Sequence, residues 1–143
     1  MQEAIFTSNA PTPRGFYSQG VKAGPLLFIA GMLPVDHEGK LVGGTAGDQT
    51  RRAMSYVAAV AEAAGGSLAS LTQVTIYVSD IAEWPEVNSA YKELMADAPV
   101  PPARAVVPVA YRPRTAAVSN KLRTQLSGWD NDLWLLQDWT REA

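Results

Sequence analysis

The segment from Ala46 to Ala64 constrains the fold more than any other, because its apolar residues recur at helical spacing and are nearly all small. Ala53, Met54, Val57, Val60, Ala61 and Ala64 share one face of the predicted helix, with Arg51, Arg52, Ser55 and Glu62 elsewhere on the wheel. A face of such short side chains suits close packing on a flat sheet. Gly65-Gly66 ends the helix, as a glycine past the last turn does. The sheet must come from the strand-like runs around it. These are Ala4-Ile5-Phe6, the continuous apolar run Pro25 to Gly31, the β-branched and aromatic run Val74 to Val78, and Ala103 to Val107. The last of these follows a proline-rich entry at Pro99, Pro101 and Pro102. A further run, Thr115 to Leu126, follows the turn Tyr111-Arg112-Pro113-Arg114.

A second helix is predicted after Asp80. Pro85 fits its first turn, where a missing N–H costs nothing, and Glu83 and Glu86 suit its positive end. Val87, Ala90, Tyr91 and Leu94 give it one apolar face, ending near Ala96. Val35 to Lys40 reads as a hairpin-type turn with Gly39 free to take positive φ. The order is strands, helix, strand, helix, strand, strand. That order predicts one α+β domain with helices on one sheet face. No helix is left for the other face, so self-association is expected to cover it.

The chain has 143 residues, 47% of them apolar and 18% charged, as in an ordinary globular domain. It contains no cysteine and a single histidine, His37, set in a turn between Asp36 and Glu38. Disulfides, thiolate nucleophiles and cysteine metal sites are therefore excluded, and neither a metal nor a cofactor is expected. Net charge is −2, against the basic excess of nucleic-acid binders, so that partner is not expected. No signal peptide and no run of membrane-spanning length is seen, so no membrane partner and a cytoplasmic location are expected. Gly43-Gly44-Thr45 lacks the spacing and lysine of a phosphate loop. The tail from Gly128 carries Trp129, Trp134 and Trp139, which suit packing on the core or on a neighbouring subunit.

Charge is one-sided in a single region. Arg104, Arg112, Arg114, Lys121 and Arg123 occur there, with no Asp or Glu between Asp97 and Asp130. An arginine opening a strand can aim its planar fork into a cleft and grip a carboxylate through two hydrogen bonds. Arg104 is the candidate for that role.

With these pieces in place, the chain resembles the Rid family, the YjgF-type reactive-intermediate (enamine/imine) deaminases. The resemblance spans roughly residues 5 to 125. It is carried by Asn9-Ala10-Pro11, Gly15-Phe16-Tyr17-Ser18-Gln19, Leu27 to Pro34, Gln49-Thr50-Arg51, Glu62-Ala63-Ala64-Gly65, Val87-Asn88-Ser89-Ala90-Tyr91 and Pro102-Ala103-Arg104, in order. It implies a chorismate-mutase-like α+β fold: a mixed six-stranded sheet with two helices on one face, assembled as a homotrimer with clefts between subunits. The Rid-like domain would be residues 1–127, and residues 128–143 a Trp-rich extension.

The resemblance also implies a site. The family arginine that binds the substrate carboxylate falls on Arg104, the cleft tyrosine on Tyr17 and the second-helix asparagine on Asn88. Gly31 and Val106 fall on further substrate-binding positions, Val106 where a cysteine is frequent. The glutamate that positions the attacking water falls on Ser119, and no neighbour from Val118 to Lys121 is acidic. Arg104, Tyr17 and Ser119 are thus the expected catalytic set. The implied activity is hydrolysis of an imine or enamine of a small 2-imino acid to the 2-oxo acid and ammonia. The alternatives are a carboxylate-binding regulator or other pathway-specific chemistry and, less favoured, RNA cleavage.

Overall fold

The computed structural model describes residues 1–109 together with residues 122–123 and 140–141. The chain divides into two units, Met1–Ala110 and Tyr111–Ala143. In the second, Leu122–Arg123 pairs antiparallel with Thr140–Arg141. The expected strand Thr115–Leu126 otherwise lies outside the described residues, as does the 127/128 domain boundary.

The first unit is α+β. β1 (Gln2–Ile5), β2 (Gly20–Ala23) and β3 (Leu26–Ile29) form an antiparallel sheet in that order. The hairpin between β2 and β3 turns at Gly24, whose φ of 60° favours glycine. β2 is absent from the sequence reading, since Val21-Lys22 is too short and mixed to announce a strand. β4 (Gln73–Val78) and β5 (Ala103–Pro108) pair in parallel, Val74 opposite Arg104 and Ile76 opposite Val106. Parallel neighbours need a crossover, and α2 (Trp84–Leu94) supplies it. The five strands of residues 1–109 thus form two sheets, one antiparallel and one parallel.

α1 (Ala46–Ala63) is the element both sheets share. Thr45 caps it: its hydroxyl accepts the Asp48 N–H, and the Asp48 carboxylate accepts the Thr45 N–H. The Gly43-Gly44-Thr45 stretch is therefore a helix entry. At the other end Gly65 takes φ 87°, the Gly66 N–H reaches the Ala61 carbonyl, and Lys22 donates to the Ala64 carbonyl.

One side of α1 places Tyr56 and Val60 with Ile5 and Ala10, backed by Leu27, Ile29 and Met32. Another places Met54 against Tyr91 and Met95, backed by Val74 and Ile76. The buried arc is wider than the sequence stripe and adds Tyr56 and Ala59. The reason is that the helix meets a sheet on one side and α2 on the other. The Tyr56 hydroxyl is satisfied by the Val35 carbonyl at 2.5 Å.

The outward side of the sheets carries large apolar side chains that the described residues leave exposed. Leu26 and Phe28 on β3, Tyr77 on β4 and Val107 on β5 are exposed, Phe28 to 63% and Tyr77 to 67%. These are the residues for which the sequence left no helix.

Candidate functional site

Strand alternation turns Arg104 and Val106 toward the helix layer, while Ala103, Ala105 and Val107 face outward. Opposite Arg104 stands α2, whose start is set by Pro85 in its first turn. Trp84, Asn88 and Tyr91 follow at i, i+4 and i+7, so they line one side of that helix. All three meet the arginine. Its Nη2 donates to Asn88 Oδ1 at 2.8 Å. Its guanidinium carbon lies 4.7 Å from the centre of the Trp84 ring and 4.4 Å from that of Tyr91.

This arginine is held without being neutralised. Among the described residues the ion pairs are those of Arg51, with Asp48 at 3.2 Å and Glu93 at 2.8 Å. Arg51 is thus compensated, and its acidic partners raise its pKa, Glu93 foremost. Among the described residues Arg104 meets an amide oxygen and two π faces and no carboxylate. It is half-buried, and the positive end of the α2 dipole lies at Trp84, one of the rings it meets. The arrangement favours an anion, for which Arg104 has in-plane N–H donors to spare and Asn88 an amide N–H₂.

Tyr91 is 6% exposed, and its hydroxyl finds no hydrogen-bond partner among the described residues. Burial pushes its pKa up, opposed in part by the Arg104 charge. Its work at the site is done by the ring face.

The remaining candidates are spread more widely. Tyr17 sits in the loop between β1 and β2, 55% exposed, its backbone N–H turned onto the Gly15 carbonyl. That loop is anchored by Gln19, which is 3% exposed. Its Oε1 accepts from Thr7 N–H, and its Nε2 donates to the carbonyls of Thr7, Ala10 and Pro11. Gly31 follows β3 with open space where a Cβ would stand. Val106 shares the Arg104 face of β5. Ser119 lies outside the described residues. The structure therefore gathers Arg104, Asn88 and Val106 on one side of β5 and α2, and places Tyr17 and Gly31 on loops of the antiparallel sheet. Trp84 and Tyr91 were not read from the sequence as site residues. The available signal was their helical spacing from Asn88.

His37 is exposed in the turn closed by the Val35–Leu41 bridge, where Asp36 Oδ1 accepts the Lys40 N–H. No group of three His, Asp or Glu side chains converges for a metal among the described residues. No helix among them is long and apolar enough to cross a membrane.

Comparison with known proteins identifies the lineage. The model of the endoribonuclease L-PSP family matches residues 7–119. A RutC family protein of Pyrococcus horikoshii is 42% identical over 82% of this chain and 93% of its own length. The 2-iminobutanoate/2-iminopropanoate deaminase of Salmonella typhimurium is 32% identical, with the same coverage of 82% and 93%. The crystal structure of E. coli TdcF with bound serine superposes with a TM-score of 0.71 at 31% identity, covering 78% of this chain and 89% of that one. This chain is accordingly a member of the endoribonuclease L-PSP family, the YjgF/Rid proteins.

Proposed function

We propose that the protein hydrolyses the imine, or its enamine tautomer, of a small 2-imino carboxylic acid to the 2-oxo acid and ammonia. One observation carries the reading: Arg104 is fixed by three side chains of α2, none of which cancels its charge. Arg104 holds the substrate carboxylate and Asn88 steadies it. Water adds to the C=N carbon, giving a carbinolamine that expels ammonia. A protonated imine is already electrophilic, so orientation supplies much of the effect. Without the family glutamate, Tyr17 and Ser119 hold the water by hydrogen bonds, at a cost of about 10²–10⁴-fold relative to a general base. The Salmonella relative, named for such a deaminase, supports this chemistry. The serine bound by the E. coli relative supports an amino-acid-sized carboxylate.

The reading includes a homotrimer in the cytoplasm. Its supports are the exposed apolar side chains of Leu26, Phe28, Tyr77 and Val107, which a second copy would cover. Tyr17 and Gly31 then belong to a cleft completed between subunits. RNA cleavage, which the family description names, is disfavoured by the net charge of −2.

The test is ammonia release from 2-iminobutanoate generated in situ by an amino-acid oxidase, compared with its spontaneous hydrolysis. Acceleration by the purified protein is expected. No acceleration, together with a thermal shift on adding 2-oxobutanoate, would favour a carboxylate-binding regulator instead.

A further inference from the structure

We infer that Trp84 is a positioning residue, which together with Tyr91 clamps the Arg104 guanidinium so that it meets a small carboxylate at its in-plane edge. The inference rests on the carboxylate-binding reading above and adds a specificity device to it.

A long arginine side chain on a strand samples many rotamers unless something holds it. A carboxylate would hold it best but would also cancel the charge the ligand needs. Aromatic faces do one without the other: the ring quadrupole attracts the cation and has no net charge to neutralise it. Tryptophan does this most strongly of the three aromatic residues. Here Trp84 lies one helical turn before Asn88 and Tyr91 one turn after it, and the guanidinium stands over both rings at 4.7 and 4.4 Å. Asn88 takes one of its five N–H donors. The α2 side of the guanidinium is thereby occupied, and the donors that remain lie in its plane. A carboxylate can take two of them in parallel. A nucleobase or other stacking ligand finds rings already over the guanidinium. The clamp thus selects a small planar anion that approaches edge-on.

Tyr91 also serves the core between α1 and α2, whereas Trp84 is only half-buried at the first turn of α2. Trp84 is therefore the separable member. Trp84→Met removes the ring and keeps an apolar chain; Trp84→Phe keeps a ring. With 2-oxobutanoate as the calorimetric probe, Trp84→Met is expected to weaken binding about tenfold. KM in the ammonia assay should rise in parallel while kcat stays within about threefold, and Trp84→Phe should restore most of the loss. In the wild type, the Arg104 Nε–Hε NMR signal should be displaced upfield by ring currents.

Unchanged binding in Trp84→Met would overturn the clamp. So would equal losses in both variants that merely track their melting temperatures. An undisplaced Arg104 signal in the wild type would overturn it even if Trp84→Met failed to fold. Failure of wild-type protein to bind 2-oxobutanoate at all would instead remove the carboxylate reading beneath it.

Discussion

Arg104 and Tyr17 were both read from the sequence as site residues, yet the chain treats them in opposite ways. Around Arg104, one helix face supplies a hydrogen bond and two aromatic contacts, so the orientation is settled inside the protomer. Around Tyr17 the loop is anchored from below by Gln19, but the ring itself is 55% exposed. The exposed side chains of Phe28 and Tyr77 belong with it, apolar surface that the described residues leave uncovered. The difference teaches how such a site divides its labour. The charge-bearing part is preorganised locally, where misplacement would be most costly. The exposed ring of Tyr17 has no such fixing among the described residues.

The sharpest way to break this comparison is Arg104→Ala. Loss of the cation held between Trp84, Asn88 and Tyr91 is expected to lower kcat/KM by at least about 10²-fold, with the melting temperature nearly unchanged. A steady-state assay showing under tenfold loss would place the anion site elsewhere.

Next in size is Phe28→Asp, which puts a charge on the bare row. On the proposed homotrimer, sedimentation velocity should show a shift from trimer to monomer, with activity falling by about 10-fold or more. A trimer that persists unaltered would detach this face from assembly. Gln19→Ala addresses the anchored base of the Tyr17 loop. It strands the part-buried Thr7 N–H and three carbonyls, so chemical denaturation should report about 2–3 kcal/mol of lost stability.

The smallest effect is expected from Tyr91→Phe, which keeps the ring under Arg104 and removes an orphaned hydroxyl. A gain of about 1 kcal/mol is predicted. A pH signature accompanies it. Because burial raises the Tyr91 pKa, the unfolded chain releases the proton near the ordinary value of about 10, while the folded protein retains it. Wild-type stability should therefore fall as pH climbs through and above that value. In the variant this tyrosine's contribution to the alkaline decline should vanish, which denaturation series at pH 9 to 11 would reveal.

Much of the scaffold was legible because it depends on local rules. Proline in the first turn of α2, glycine after α1 and β-branched residues in β4 act through neighbouring atoms, and each element appears where they put it. β2 was missed because four residues of mixed character form a strand only when β1 and β3 flank them. The α1 stripe was drawn too narrow for a related reason. Periodicity marks one buried face, whereas Tyr56 and Ala59 are buried by a second neighbour.

The site shows the same division. Arg104 as an anion-binding candidate was readable from an arginine opening a strand in a region devoid of acids, and from family resemblance. That it is clamped by Trp84 and Tyr91 was not, since the three residues are up to 20 positions apart and meet only after β5 crosses back over α2. Sequence by itself determined which residue types and local conformations are available, because those follow from covalent geometry and hydrophobic period. Tertiary structure alone decided which arginine is paired with carboxylates and which is held by neutral groups. Arg51 meets Glu93 across the helix pair, whereas among the described residues Arg104 meets an amide and two rings. Coulomb attraction acts through space, and no pattern along the chain records the distances on which it depends.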